Sequence, residues 1–498
     1  MNTARVKPAV IYLLLLFWGS IFLFYWLTLA PSVLWGDNAY FQRAAFTGVL
    51  KQDGGGHWLW LQLAQLLVGS NAASAAYRTN LLSAVAAIIT LIFLSGAMRT
   101  FKLGWTSITM ACLSLAVSHT FWMHAVRAEV YTVFTAAIAL QLWLWLSWRP
   151  GRFWTLHLAG ALFGTTLLAH QMAILFLPAA LFLLWRQRHW FSRGDWVTFL
   201  GVSLLGFLPF FAVISQQIEG ANLIHSLRLY FTHVDVDFAP AMFDFSLTQL
   251  PLDLATWLGL LGLQFVGVSG LLGIYGLQKT SLKQTAPLTL LFFYMTSVFF
   301  AFSYRVNDQF VFYLPSYLAF SFFIAIGWQK IEGLAWPNMR LVTLSAFLLA
   351  FIIPITVYYA VPRLLTAAHM NPLNVRTLPG REPNQFFLWP ASNGDYGADS
   401  FAKEALDITI PDSSIIADHT PFEPLRFVQV IEGLRQDVTL IRIEPGEDLE
   451  PIVIQLDPNK AIYLADNNPN YYNLASLAEA CLKPVGNIYQ LFFICQMP

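Results

Sequence analysis

The run AVIYLLLLFWGSIFLFYWLTLA, residues 9–30, holds no charged side chain. As a helix rising about 1.5 Å per residue, it reaches across a hydrocarbon core of about 30 Å. It is too long for a secretory h-region and no small-x-small exit follows, so it reads as an uncleaved span. Comparable runs recur near 79–98, 104–120, 130–148, 154–170, 172–185, 196–216, 252–277, 286–303, 310–328 and 340–360, giving about eleven spans. Only 11% of residues are charged, against about 25% in soluble domains, and the mean hydropathy is +0.57. A water-soluble fold is therefore excluded, and the class is a polytopic α-helical membrane protein.

Lysine and arginine in the short loops set the orientation. With a cytoplasmic N-terminus, the inner loops carry Arg5, Lys7, Arg99, Lys102, Arg149, Arg152, Arg186, Arg188, Arg193, Lys279, Lys283, Lys330 and Arg340. The opposite loops before residue 361 hold only Arg43, Lys51, Arg78, Arg127, Arg228 and Arg305. An odd number of spans then places the C-terminus outside the cytoplasm. Carboxylates gather on that outer side: Asp37, Asp53, Glu129, Glu219, Asp235, Asp237, Asp244, Asp253 and Asp308, against Asp195 and Glu332 inside. Acids determine topology only weakly, so their excess points to chemistry on the outer face. Formal net charge is zero; the total marks no acidic or basic partner, and no nucleic acid is expected.

Residues 1–362 form the membrane part, with a first outer loop at 31–78. Residues 363–400, rich in Pro, Asn and Gly, read as a linker that wraps rather than packs. Residues 401–498 read as a small extracytoplasmic α/β domain. SIIAD (Ser414 to Asp418), a helical pattern over Pro421 to Leu434 and DVTLIRI (Asp437 to Ile443) make a strand–helix–strand unit, which favours a parallel pair. AIYLAD and NIYQLFFIC supply two more strands, with NLASLAEACL as a helix between them. Three cysteines exclude a disulfide-rich scaffold or a cysteine zinc site; Cys112 reads as core, and Cys481 and Cys495 are either a disulfide or free thiols.

Three outer clusters carry candidate chemistry. In LWGDNAYFQRAAFTGVLKQDGGGHWLW (Leu34 to Trp60), Asp37 stands where the first span leaves the membrane, followed by two amphipathic stretches separated by Gly54-Gly55-Gly56, with His57 after them. The triplet lacks the Lys-Ser/Thr of a phosphate loop, and a helix cap is the plain alternative for Asp37. In SHTFWMHAVRAEVYTVF (Ser118 to Phe134), His119, His124, Arg127 and Glu129 crowd one connection. Two residues apart, Arg127 and Glu129 would not share a helix face, so one can face a cavity and the other a protein partner; a structural ion pair is the alternative. No His-x-x-x-His spacing accompanies them, so a divalent metal is admitted but not favoured. In YRVNDQFVFYLPSY (Tyr304 to Tyr317), Arg305, Asp308 and Tyr313 lie beside the interface, where Arg305 is a natural holder of a phosphate oxygen. The alternative there is an aromatic belt with a snorkelling arginine. His170 is a fourth candidate, against the plainer role of a packing residue.

These strings, in this order, resemble the GT-C glycosyltransferase superfamily and, within it, the protein O-mannosyltransferase-like family. The resemblance rests on GD at Gly36-Asp37, YRTNLLSAV at Tyr77 to Val85, RAEVYTV at Arg127 to Val133 with LLAHQ at Leu167 to Gln171, and DQFVFYLP at Asp308 to Pro315. PLRFVQVIEGLRQDV (Pro424 to Val438) is similar to the family's soluble segment. Where that family often has a His-Pro-x-Gly-Tyr-Pro-like string, this chain has GGGHWLWL, keeping His57 without the prolines and tyrosine.

The resemblance implies a polyprenyl-phosphate sugar as donor, an acceptor hydroxyl of a protein or glycan, and Asp37 as the base that deprotonates or orients it. Arg127 and Arg305 would then hold the phosphate, His57 or His170 would assist, and Glu129, Asp308 and Tyr313 would line the donor site. No cofactor is required. The expected enzyme is an inverting transferase of mannose or another hexose in a bacterial cell membrane, favoured over the endoplasmic reticulum. A transporter or lipid flippase, a non-catalytic receptor, and a transferase acting on a lipid or glycan are the alternatives. Transporters place ionisable groups near mid-membrane, in two related halves. Here the charges sit at the outer ends and no halves are visible.

Overall fold

The structure, a computed structural model, describes residues 8–49, 57–69, 74–217, 222–232, 239–244, 246–306, 308–334, 337–477 and 480–493. The Gly54-Gly55-Gly56 triplet, Lys51, Asp53, Glu219, Asp235, Asp237 and Cys495 lie outside the described residues. Among the described residues, six helices are long and apolar enough to cross a membrane: Val10–Leu27, Ala75–Arg99, Arg193–Gln216, Thr285–Ser303, Gln309–Glu332 and Met339–Ala367. The pair Leu250–Gln264 and Val268–Lys279, bent by 117°, makes a seventh if counted as one span. Other expected spans form shorter apolar helices, Trp105–Ala116, Tyr131–Ser147 and Trp154–Ala169. The run at 172–185 begins with the 3-10 turn Gln171–Phe176 and continues as helix Leu177–Gln187.

Lipid contact is written on the surfaces. Leu13, Leu15 and Leu16 on the first helix, and Leu204, Leu205 and Leu208 on Arg193–Gln217, are all more than half exposed. In water such patches would be a large unburied apolar area; in a bilayer they meet acyl chains. Inside the bundle, small residues let backbones approach. At Gly276 an added Cβ would collide with the Phe323 carbonyl, so helix Val268–Lys279 lies directly on Leu314–Glu332. The chain is thus a polytopic helical protein with a small C-terminal sheet.

That sheet has five strands: β1 (Ser414–Asp418), β2 (Thr439–Ile443), β3 (Ile462–Leu464), β4 (Cys481–Val485) and β5 (Ile488–Phe492), in the order β2-β1-β3-β5-β4. β1 pairs parallel with β2 and β3, as the strand–helix–strand pattern requires, and β5 runs antiparallel to β3 and β4. Helix His419–Ile431 is the crossover between β1 and β2. The helix expected in NLASLAEACL is not formed: Leu474–Ser476 is a single 3-10 turn, and Cys481 already opens β4. Antiparallel pairing with β5 through Cys481 to Val485 overrides the local helical pattern. Cys481 is disulfide-bonded.

The segment after the last span packs, contrary to the expectation of a loose wrap. Its short helix Pro383–Leu388 brings the Phe387 carbonyl 2.6 Å from His119 Nε2, and Trp389 meets Trp122 edge-on at 5.5 Å. Aromatic side chains within a Pro- and Asn-rich stretch give it apolar area to bury. Arg376 pairs with both oxygens of Asp418 at 2.9 Å and also with Asp466, pinning the segment to the end of β1.

Candidate functional site

The site begins where the first span ends. Gly36 takes φ +60°, a left-handed conformation that lets the chain turn sharply out of the span into helix Asp37–Thr47. Asp37 is therefore the first helical residue, where the amides of the first turn favour a negative charge. Its carboxylate is no helix cap: Oδ1 lies 2.7 Å from Nε2 of His419, the first residue of the crossover helix in the sheet domain. The same junction is held by the Gly36 amide, which donates to the Thr420 carbonyl, and by Trp35 against Phe401.

Asn80, in YRTNLLSAV, ties the surrounding loops together. Its Oδ1 accepts from Gln42 Nε2 at 3.0 Å and from the Ala128 amide at 2.7 Å, while its Nδ2 donates to the Ala30 carbonyl at 2.9 Å. One buried amide thus fixes the first-loop helix, the end of the first span and the Arg-Ala-Glu turn. Asn38, next to Asp37, donates to Glu129 Oε1 at 2.8 Å.

Asp37, His57, Glu129, His170 and Asp308 line one cavity of about 260 Å³, with Tyr40, Tyr131, Gln171 and Tyr304 among its other walls. The His57 and His170 rings are 5.0 Å apart, and His170 Nδ1 accepts from the Met172 amide, which leaves Nε2 as the protonated nitrogen of the neutral ring. The three carboxyl groups are driven apart in acidity. Desolvation at the cavity mouth would raise Asp37, whose side chain stays 61% exposed, but the hydrogen bond and charge of His419, with His57 and Arg442 beyond, outweigh it and hold Asp37 below its ordinary value. Burial raises Glu129 well above the usual range, and the nearby Asp37 charge adds to this. Asp308 is pushed up to about 6 by burial and by Asp37. A depressed carboxylate beside one raised well above the usual range and another raised to about 6 is the arrangement that separates a base from its neighbours.

Arg127 does not enter this cavity. The Arg-Ala-Glu turn stands between two chambers: Glu129 lines that of Asp37, while Arg127 lines a second of about 550 Å³, shared with Arg363 and Arg381. Arg127 donates to Ser392 Oγ at 3.1 Å, Arg363 donates to the Tyr359 carbonyl, and Arg381 stacks on Phe386 at 3.6 Å. The Nε atoms of Arg127 and Arg381 are buried without a hydrogen-bond partner among the described residues. None of the three guanidiniums has a carboxylate within 4.0 Å among those residues. Glu382 bonds instead to Thr366, and Asp395 accepts from the Gly397 amide. Glu382 and Asp395 also line this chamber, but three guanidiniums that no described carboxylate contacts suit a phosphate there.

Two expected residues lie elsewhere. Arg305 is taken by Asp253, 2.9 Å away, and by the Asp244 carbonyl at 3.0 Å, so its donors are occupied outside the cavity. Tyr313 is buried beside Tyr317 and lines neither chamber. Arg363, Arg381 and His419 were not reached from the sequence; all three stand beyond the last span or at its end, where no periodicity marks them. Among the described residues no group of three His, Cys, Asp or Glu side chains is arranged to hold a metal ion.

A third hollow, of about 450 Å³, is almost wholly apolar and opens among helices Trp58–Val68, Ala75–Arg99, Tyr131–Ser147 and Trp154–Ala169. Three of these helices start or stop at cavity residues: His57 precedes the first, Tyr131 opens the third and His170 ends the fourth.

Residues 57–192 match the family described as Protein O-mannosyl-transferase TMEM260 N-terminal domain. The structure is similar to that of ArnT from Cupriavidus metallidurans bound to undecaprenyl phosphate, with a TM-score of 0.59 and 12% identity over 97% of this chain and 98% of that one. The apo state of ArnT from the same organism gives a TM-score of 0.59 at 13% identity, with the same coverage. No curated protein sequence matches the chain. Residues 57–192 thus resemble an O-mannosyl-transferase family in sequence, and nearly the whole chain shares its fold with ArnT.

Proposed function

We propose that the chain moves a hexose, mannose by its likeness, from a polyprenyl phosphate to an acceptor hydroxyl on a protein, with inversion. The observation that carries the reading is Asp37: an ionised carboxylate at the mouth of a cavity whose other two carboxyl groups are raised. Asp37 takes the proton of the acceptor hydroxyl as that oxygen bonds to the anomeric carbon. The bond from that carbon to the phosphate oxygen breaks, and the phosphate leaves with the electron pair. A single displacement inverts the anomeric centre. Phosphate is already a good leaving group, so the step requires no metal.

The leaving charge needs cations. The described lining of the first cavity has no arginine or lysine, and the chamber behind Arg127 has three guanidiniums. Arg127, Arg363 and Arg381 therefore take the role expected of Arg127 and Arg305. The apolar hollow beside His57 and Tyr131 suits the prenyl chain, and ArnT, which shares the fold, binds undecaprenyl phosphate. We place the Asp37 end of the bundle on the extracytoplasmic face, the N-terminus in the cytoplasm, and the shorter helices among about eleven crossings of a bacterial cell membrane.

The class is tested with the full-length protein in vesicles supplied with undecaprenyl-phosphate mannose and a hydroxyl acceptor. A transferase releases undecaprenyl phosphate in step with labelled product. Movement of the intact lipid between leaflets without cleavage would instead make the chain a flippase.

A further inference from the structure

The group nearest the proposed base comes from the far end of the chain. His419 stands 382 positions after Asp37, and its Nε2 is 2.7 Å from Asp37 Oδ1. This contact is built rather than incidental. Asp418, one residue earlier, caps the crossover helix through the Thr420 amide, is held by both arms of Arg376 and accepts from Tyr472 at 3.0 Å. One turn further, Glu423 is 1% exposed and takes Arg43 Nη2 at 2.8 Å. Arg43 lies on the same helix as Asp37, so two side-chain pairs join the same two helices. His419 Nδ1 has no hydrogen-bond partner among the described residues, and its nearest acid is Glu423 Oε1 at 3.8 Å.

We propose that His419 is a positioning residue for Asp37, so that the sheet domain completes the transfer site. The inference rests on Asp37 acting as base. Nε2–H holds Oδ1, which fixes the carboxylate plane and leaves Oδ2 for the acceptor proton. The acceptor O–H bond breaks, the proton goes to Oδ2, and His419 keeps its own. The imidazole also offsets the charge of Asp37 in a cavity that holds two further carboxyl groups. The charged or titratable groups facing the pair are His57 from the first loop, Arg442 from β2, Glu423 with Arg43, and Glu129 and Asp308 across the cavity. The reciprocal shifts agree with the geometry: burial would lower His419, but the bond to Asp37 and the charges of Asp37 and Glu423 raise it.

The test follows mannose transfer from undecaprenyl-phosphate mannose across pH, with full-length protein in vesicles. His419→Ala should lower kcat by about 10²-fold, leave the KM for the donor unchanged, and move the acidic limb of the profile upward. His419→Gln, which keeps a donor without a charge, should restore much of kcat and return the limb only part of the way. Phe401→Leu loosens the same domain contact at Trp35 without touching the pair, and should leave the limb in place. If Asp37→Asn is inactive while both His419 variants keep the wild-type kcat and limb, the positioning role is overturned and the base survives. If Asp37→Asn transfers normally, both fall.

Discussion

Asp37 and Glu129 show how two carboxyl groups in one cavity acquire opposite characters. Asp37 has His419 against it and the first turn of a helix behind it; Glu129 has burial and the charge of Asp37. The cations follow the same local logic. Arg305 is neutralised by Asp253, while Arg127 and Arg381 keep buried Nε atoms without hydrogen-bond partners among the described residues. Arg381→Gln should therefore raise the KM for a polyprenyl-phosphate sugar by about 10- to 100-fold, as expected for loss of about 1.5–3 kcal/mol in a hydrogen bond to a charged group. Its kcat should change little. Arg305→Gln should leave that KM unchanged and act on stability instead, which steady-state kinetics with thermal unfolding would separate.

Asn80 governs the arrangement of elements. It bonds the helix of Asp37, the turn of Glu129 and the exit of the first span. Asn80→Ala would strand buried partners such as the Ala128 amide and the Ala30 carbonyl, each at about 1–3 kcal/mol. We expect a marked loss of thermal stability together with weakened transfer, measured by unfolding in detergent and by kcat. Sequence reading reached the elements here and not their partners. Charge asymmetry picked out Asp37, Glu129 and Asp308, and helical spacing drew both first-loop helices. Asn80 lay inside a quoted string but carried no charge to mark it. His419 follows a strand correctly read as buried, yet its contact with Asp37 spans two regions that share no pattern. The span at 104–120 was read by length alone, which does not register where a bundle ends a helix early, at Ala116.

The whole molecule is a helical membrane body whose site is closed by a sheet domain through Asp37–His419 and Arg43–Glu423. Docking should therefore depend on pH in a direction set by both shifts. Asp37 is lowered from 3.8, so its contribution is present above that value and is lost as pH falls through the depressed one. His419 is raised from 6.5, so its contribution is full below 6.5 and is lost as pH rises through the raised value. Protection of the Gly36 amide against hydrogen exchange, corrected for the intrinsic pH dependence of exchange, should be greatest between those limits and fall on either side; a flat corrected profile would mean that the pair does not hold the domain.

The central claim is that Asp37 is the base of a sugar transfer from a lipid phosphate. Single-turnover reaction of full-length wild type and Asp37→Asn with undecaprenyl-phosphate mannose, with binding of undecaprenyl phosphate measured on the same preparations, tests it most directly. The expected result is lipid binding within about twofold of wild type and a transfer rate lower by at least about 10²-fold. Transfer by Asp37→Asn at the wild-type rate would contradict it.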